Sequence, residues 1–157
     1  MKEQITLLKY ISVIQRNTQR YFDVMLEEDH IGSGQQFFIL RIRENEGMTM
    51  NELARTGSFD KGTVTKAVKK LQEAGYIRIE QDEEDGRVKH LYTTDRAEEL
   101  IRKVYRIRDQ WLENLMVSFG QEEKERLKAQ LKIMSERSCC LMKKHAEEKG
   151  ETEHAGN

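Results

Sequence analysis

The segment DKGTVTKAVKKLQEAGYIRIEQDEEDGRVKHLYT, residues 60–93, carries the pattern that decides the fold. Its first half places apolar residues at helical spacing, at Val64, Ala67, Val68 and Leu71. This spacing buries one face of a helix, an aspartate is a favoured N-cap, and a glycine commonly follows the last turn. We therefore predict a helix from Asp60 to about Ala74, stopped by Gly75.

The second half of the segment changes to the two-residue period of strands. Residues 76–80 and 88–93 alternate in polarity and are rich in β-branched and aromatic side chains, and the polar stretch 81–87 separates them. Two such runs around a short polar connection predict a β-hairpin. Its tip is charged and contains Asp85 and Arg87.

Helical spacing continues on the N-terminal side. Residues 3–27 form one amphipathic pattern and 35–44 a second, broader one. Thr49 and Glu52 stand at the spacing of a capping box, which predicts a short helix beginning there. Gly57 is well placed to end this helix as its C-terminal glycine.

Two more helices are predicted after the hairpin. An apolar stripe of about six turns begins at Thr94 and ends near Leu115, and Gly120 separates it from a last amphipathic helix. The whole is a mainly α fold with six helices and a two-stranded wing. Three short helices followed by a hairpin are typical of a winged helix-turn-helix, in which the third helix enters the major groove of DNA.

The composition favours a protein that shares its core with a second copy. It is 37% hydrophobic and 35% charged, which is polar for a monomer that must fill its own core. No apolar run reaches about 18 residues and the first residues lack a cleavage site, so we expect no membrane contact and no export. The only cysteines, Cys139 and Cys140, are adjacent, which fits a reducing compartment such as the cytoplasm.

Charge is segregated along the chain although the net charge is only −1. Residues 61–70 contain four lysines and no acid, whereas acids crowd residues 82–85. A basic helix of this kind can bind phosphates, but a solvated helix face is the common alternative.

Enzyme chemistry is not indicated. The sequence has no phosphate-binding loop, no nucleophile motif and no glycine-rich dinucleotide turn, and its four histidines have no metal-ligand spacing. We therefore predict a protein that is not an enzyme and needs neither a cofactor nor a metal.

The stretch ELARTGSFDKGTVTKAVKKLQEAGYIRIEQDEEDGRVKHLYTTDRAEEL, residues 52–100, resembles the signature of the MarR (multiple antibiotic resistance regulator) family. The most specific matches are DKGTVT at 60–65, Lys70-Leu71, Gly75-Tyr76-Ile77, and Asp85-Gly86-Arg87, which fits the family's Asp-x-Arg wing motif.

The resemblance implies a bacterial transcriptional regulator that binds double-stranded DNA. Arg87 would enter a minor groove from the wing tip with Asp85 bracing it, and the acids at 82–84 would point outward. Thr63, Thr65 and Lys66 would face the major groove. The full set of predicted DNA contacts is Lys61, Gly62, Thr63, Thr65, Lys66, Lys69, Lys70, Asp85, Arg87 and Lys89.

The resemblance also implies a homodimer built from the first and last helices. A two-fold axis would present two recognition helices to a pseudo-palindromic operator, and repression is the usual mode in the family. The predicted interface residues are Ile5, Leu8, Ile11, Leu131, Met134 and Leu141.

The organisation expected from these observations has four parts. Residues 1–30 form an N-terminal dimerisation helix and 35–93 the winged helix-turn-helix. Residues 94–148 form the C-terminal dimerisation helices, and 149–157 a flexible tail.

Three alternatives stay open at this point. Phe37, Phe38 and Trp111 would either line a pocket for a small aromatic effector or belong to the core, which is the commoner place for aromatic residues at helical spacing. Cys139 and Cys140 would either pack or sense oxidants. The chain as a whole would either bind DNA or act as a winged-helix adaptor or antirepressor that binds protein.

Overall fold

The computed structural model describes residues 2–154 of the chain, and the side chains of residues 6–150. In order, the elements are α1 (Lys2–Met25), a 3-10 turn (Glu27–Asp29), α2 (Ser33–Glu44), β1 (Met48–Thr49), α3 (Met50–Thr56), α4 (Lys61–Glu73), β2 (Ile77–Gln81), β3 (Lys89–Thr93), α5 (Ala97–Leu115) and α6 (Gln121–His154). The mainly α fold, with six α-helices and the hairpin within the described residues, is confirmed. None of the helices in this part of the chain is both long and apolar enough to span a membrane.

The sheet contains one strand more than predicted. Its order is β1-β3-β2, and both pairings are antiparallel. In β1, Met48 lies opposite Leu91 and Thr49 opposite His90. The hairpin β2–β3 is the predicted two-stranded wing, and β1 adds a third strand that the sequence did not indicate, because a strand of two residues is too short to show alternation.

Gly47 makes the extra strand possible. Its backbone has φ +88°, a left-handed conformation that glycine adopts without strain, and its N–H donates to the Leu91 carbonyl at 2.8 Å. This turn ties the start of α3 to the hairpin.

The predicted helix starts are confirmed at two sites. At α3, the Thr49 hydroxyl accepts from the Glu52 N–H at 3.2 Å while the Glu52 carboxylate accepts from the Thr49 N–H at 2.7 Å. At α4, Asp60 Oδ1 accepts from the Thr63 N–H at 2.8 Å. Each satisfies backbone donors that the first turn of a helix leaves without partners.

The chain divides into two compact units, Met1–Leu112 and Glu113–Asn157. The first unit has one apolar core, which α1 to α5 and the sheet all line. Its buried residues are Phe22, Leu26, Ile31, Phe38, Ile39, Leu40, Ile42, Met48, Leu53, Val64, Ala67, Val68, Leu71, Tyr76, Ile77, Leu91, Ala97, Leu100, Ile101, Val104 and Ile107.

The second unit consists mainly of α6, a single helix of 34 residues. Its large apolar side chains, including Leu131, Met134 and Leu141, are exposed in the single chain. The helix runs past residue 148 to His154, so helix continues into most of the predicted tail, whose last residues, 155–157, lie outside the described part.

Candidate DNA interface

Helix α4 is anchored by one face and exposes the other. Val64, Ala67, Val68 and Leu71 are buried in the core, in agreement with the sequence prediction. Asp60 fixes the first turn, and its hydrogen bonds from the backbone N–H and hydroxyl of Thr63 hold the pKa of this carboxyl below its usual value. Its negative charge also complements the positive end of the helix dipole.

The exposed face of α4 is basic but includes one acid. Gly62, Lys66, Lys69 and Glu73 follow one another at steps of four, three and four, so they lie on one side of the helix and all are exposed. Lys69 Nζ lies 3.9 Å from Glu73 Oε1. Glu73 is not among the predicted site residues, although helical spacing alone places it beside Lys69.

The two threonines of α4 have already used their hydroxyl hydrogens. Thr63 Oγ1 donates to Asp60 Oδ2 at 2.9 Å, and Thr65 Oγ1 donates to the Lys61 carbonyl at 2.7 Å. Each oxygen can still accept a hydrogen bond and each methyl group is free to make apolar contacts. These are the features that suit base N–H donors and the thymine methyl group.

The remaining predicted lysines are exposed, on different parts of the surface. Lys61 and Lys70 belong to α4, and Lys89 begins β3 opposite Gln81. Lys70 borders an open cleft that Asp23 and Glu27 also line. The cleft acids partly offset the charge of Lys70, which sets it apart from Lys66.

Arg87 extends from the hairpin tip. Its side chain is 93% exposed, and its Nε lies 3.3 Å from Asp85 Oδ1, which also accepts from the Arg87 backbone N–H at 3.1 Å. A carboxylate thus contacts one edge of the guanidinium and leaves the terminal nitrogens exposed. Such a group can insert into a groove of negative potential.

Asp82 does not point outward, contrary to the sequence expectation. Its Oδ1 accepts from the backbone N–H groups of Glu84 and Asp85 at 2.9 and 3.0 Å, which folds the turn at the hairpin tip. Aspartate favours such turns because its short side chain reaches the backbone two and three residues ahead. Only Glu83 and Glu84 remain exposed as expected.

His90 links this turn to the rest of the domain. Its Nε2 lies 2.9 Å from Asp82 Oδ2, and its Nδ1 lies 2.7 Å from the Gly47 carbonyl oxygen. The hydrogen bond to Asp82, followed by that to Gly47, raises the pKa of His90, and the same contact with His90 lowers the pKa of Asp82 to about 2. Sequence reasoning missed this arrangement because Gly47 and His90 are 43 residues apart.

The three aromatic residues of the predicted effector pocket belong to two ring clusters. Phe37 and Phe38 pack on Phe59, with ring centroids 5.4 and 4.8 Å away. Trp111 stacks on Tyr21 at 4.5 Å, and its indole N–H donates to Thr18 Oγ1 at 2.8 Å. Phe38 is buried in the core, and Phe37 and Tyr21 pack against it. Trp111 is half-buried and Phe59 is exposed, and the pocket stays a prediction.

The predicted interface residues are exposed apolar side chains in the single chain. Leu8 and Ile11 lie on α1, and Leu131, Met134 and Leu141 on α6. The sixth, Ile5, lies outside the residues whose side chains are described. The cysteines also lie on α6, where Cys139 is half-buried and Cys140 exposed.

Comparison with known proteins places this geometry in a family. The MarR family model matches residues 33–88, which span α2 to the hairpin tip. A MarR transcriptional regulator from Methanosarcina mazei has a similar structure, with a TM-score of 0.81, 30% identity, and coverage of 87% of this chain and 98% of that one. The chain belongs to the MarR family.

Two further relatives agree. An HTH-type transcriptional regulator of Bacillus subtilis, YybA, is 28% identical over 125 residues, which cover 80% of this chain and 83% of the relative. A MarR-family regulator from Listeria monocytogenes, solved with a 26-mer DNA, has a TM-score of 0.78 at 25% identity and covers 83% of this chain and 87% of that one. The resemblance and the winged helix-turn-helix predicted from the sequence are confirmed, and membership makes the chain a MarR-family transcriptional regulator, not an enzyme.

Proposed function

We propose that this MarR-family protein is a sequence-specific repressor that binds double-stranded DNA as a cytoplasmic homodimer and is released by a small aromatic effector. The observation that carries the DNA proposal is the pair of exposed basic elements in one winged helix. These are the Lys66–Lys69 face of α4 and the almost fully exposed Arg87 at the hairpin tip.

The role proposed for each residue in DNA binding follows from the chemistry of its side chain. Lysines bind phosphates as point charges, so Lys66, Lys69 and Lys89 would position the protein and contribute a salt-dependent share of affinity. Thr63 and Thr65 would read base edges through their acceptor oxygens and methyl groups. Arg87 would enter a minor groove in the orientation that Asp85 holds. The Listeria monocytogenes relative, solved with DNA, supports this use of the fold.

The homodimer proposal rests on unpartnered apolar surface. Exposed leucine, isoleucine and methionine side chains recur along α1 and α6. Exposed apolar side chains that recur along a helix favour association, and a second copy offers the same surfaces. A symmetric dimer would read a pseudo-palindrome with half-sites about 10 base pairs apart.

The effector proposal rests on the aromatic cluster in front of α4. Phe59 directly precedes the N-cap Asp60, and its ring packs on Phe37 and Phe38 of α2. A flat aromatic ligand that replaced the Phe59 ring in this cluster would move the first turn of α4. Such a ligand would therefore weaken DNA binding.

The test is a fluorescence-anisotropy titration against the upstream intergenic DNA of the gene and a scrambled duplex of equal length, at several salt concentrations. We expect the native fragment to bind about a thousandfold more tightly. Arg87→Ala should cost about 1 to 3 kcal/mol on the native fragment. Lys69→Ala should weaken both duplexes equally and lower the salt slope by about 1.

Lys144→Ala is the matched control, because it removes one exposed positive charge from α6, which is not part of the winged helix-turn-helix at residues 35–93. It should leave both affinities unchanged. The alternative is an adaptor or antirepressor. It would be established if the wild-type protein bound both duplexes equally weakly, and if Arg87→Ala and changes at Thr65 and Lys66 had no effect on this binding.

A further inference from the structure

A continuous hydrogen-bonded path connects the body of the domain to the tip of the hairpin. It begins at the Gly47 carbonyl, 2.7 Å from His90 Nδ1, and passes from His90 Nε2 to Asp82 Oδ2 at 2.9 Å. The other oxygen of Asp82 accepts the N–H groups of Glu84 and Asp85. Asp85 in turn contacts Arg87. The path therefore ends on the exposed guanidinium.

The two ends of the imidazole both face acceptors. A carbonyl oxygen has no hydrogen to donate, and the carboxylate of Asp82, with its pKa near 2, is ionised at ordinary pH. Only the imidazolium form has an N–H at both nitrogens, so only this form makes both hydrogen bonds. A neutral His90 would leave one of the two acceptors without its donor.

The charged groups around His90 favour the same form. Asp82 faces it from the hairpin tip, Glu52 from α3, and Glu80 is its neighbour across the β2–β3 pair. On the β1 side its neighbour is the uncharged Thr49. Glu80 is itself paired with Arg78 of β2, and Lys89, the adjacent residue in β3, points to the opposite face of the sheet. The carboxylates of Asp82 and Glu52 thus both favour the protonated ring.

We propose that His90 is a positioning residue whose protonation holds the turn at the hairpin tip, and with it Arg87, in the orientation seen here. The DNA consequence rests on the function proposed above. If Arg87 reads a groove, protonated His90 favours the DNA-bound state, and operator affinity falls as the pH rises and His90 loses its proton.

The direction follows from proton linkage. His90 has a raised pKa in the folded protein, so its contribution is fully present below the ordinary histidine value of 6.5 and disappears as the pH rises through the raised value. A one-unit difference in pKa between the free and DNA-bound protein corresponds to about a tenfold change in affinity. The pH window of the effect therefore lies above 6.5.

The experiment combines a measurement without DNA and one with it. Without DNA, NMR follows the His90 ring and the backbone amides of Glu84 and Asp85 from pH 5 to pH 9. We expect the amides to shift with the midpoint of His90, above pH 6.5. In the Asp82→Asn variant, the side-chain amide oxygen can still accept the N–H groups of the turn. The amide NH2 then faces His90 Nε2, and this contact suits the neutral form of His90. In this variant, the amide shifts of residues 84 and 85 should no longer share a midpoint with the titration of His90.

With DNA, operator affinity is compared at pH 6 and pH 9 for the wild type, His90→Gln and the control His145→Gln on α6. We expect about a tenfold loss at the higher pH for the wild type and the control, and a nearly flat profile for His90→Gln. The same pH profile in the wild type and His90→Gln would overturn the inference.

The two proposals can fail separately. Amides that do not follow the His90 midpoint overturn this inference whether or not DNA binds. Amides that follow it, in a protein that discriminates no operator at any pH, support the role of His90 in the hairpin and overturn the proposed DNA-binding function.

Discussion

Gly57 lies between α3 and α4 with aromatic rings close to its Cα. A Cβ at this position would lie 2.3 Å from Phe59 Cε2 and 3.2 Å from Phe37 Cε1. Gly57 ends α3 as predicted, but its φ of −136° is open to any residue, and the left-handed conformation falls on Ser58, with φ 54°. A side chain at this position would have to displace the Phe59 ring, whereas the backbone conformation itself suits any residue.

Gly57→Ala should therefore destabilise the protein by about 1 to 3 kcal/mol, as overpacking does. The control is Gly34→Ala in the first turn of α2, where no atom lies within 4 Å of the added methyl group. That change should stabilise the protein by about 0.5 to 1 kcal/mol, since alanine is the better helix former. Urea midpoints at one protein concentration measure both effects. Two variants that shift the midpoint in the same direction would contradict the ring-packing argument.

The limits of sequence reasoning at this scale are clear from Asp82 and His90. The cap at Asp60 was predictable because its partner, Thr63, is three residues away and the spacing is a known pattern. Asp82 and His90 meet only because β2 and β3 pair, and Gly47 reaches His90 only through a strand that has no periodic signal. Contacts that depend on strand register across long separations leave no local pattern.

At the scale of elements, the first residues of α3 and the strand before it share one residue. Thr49 is both the N-cap of the helix and a member of β1, where it pairs with His90. The capping box was predicted from Thr49 and Glu52 alone, whereas the strand was not. The same residues therefore fix the helix start and dock the hairpin on the helices.

Thr49→Ala should cost about 1 kcal/mol of stability, because it removes the hydroxyl that accepts the Glu52 N–H. Ser138→Ala is the control, since that hydroxyl donates to the Ser135 carbonyl within an exposed stretch of α6 and its loss should stay within about 0.5 kcal/mol. Thermal unfolding at fixed concentration compares them. Equal transition temperatures for the two variants would show that the capping box of Thr49 and Glu52 does not stabilise α3.

For the whole molecule, the apolar residues of α6 are the feature that a single chain leaves unexplained. Leu127, Leu131, Met134 and Leu141 follow at steps of four, three and seven, the heptad spacing of helices that pack along their length. The polar composition of the chain likewise predicts a core shared between two copies. The periodicity predicts which surface of α6 packs against another helix. It does not identify that helix, because a heptad stripe can pack against any similar stripe.

We expect sedimentation equilibrium to give about twice the 18.5 kDa of one chain. The double variant Leu131→Glu/Met134→Glu would bury charges without partners and should weaken association by about 3 to 5 kcal/mol. Ile133→Glu is the matched control. Its side chain is 50% exposed, against 46% for Leu131, but it projects from a different side of α6 because two residues of helix separate them by about 200°.

The control should keep the mass of the dimer while the double variant loses it. Because the subunits of such a dimer can unfold as they separate, the wild-type unfolding midpoint is also measured at several protein concentrations. Dissociation coupled to unfolding makes this midpoint rise with concentration, whereas a monomer shows none of this dependence. A concentration-independent midpoint together with a mass of one chain would rule out the homodimer. The paired half-sites expected in the operator would then have no structural basis, because one chain offers only one recognition helix.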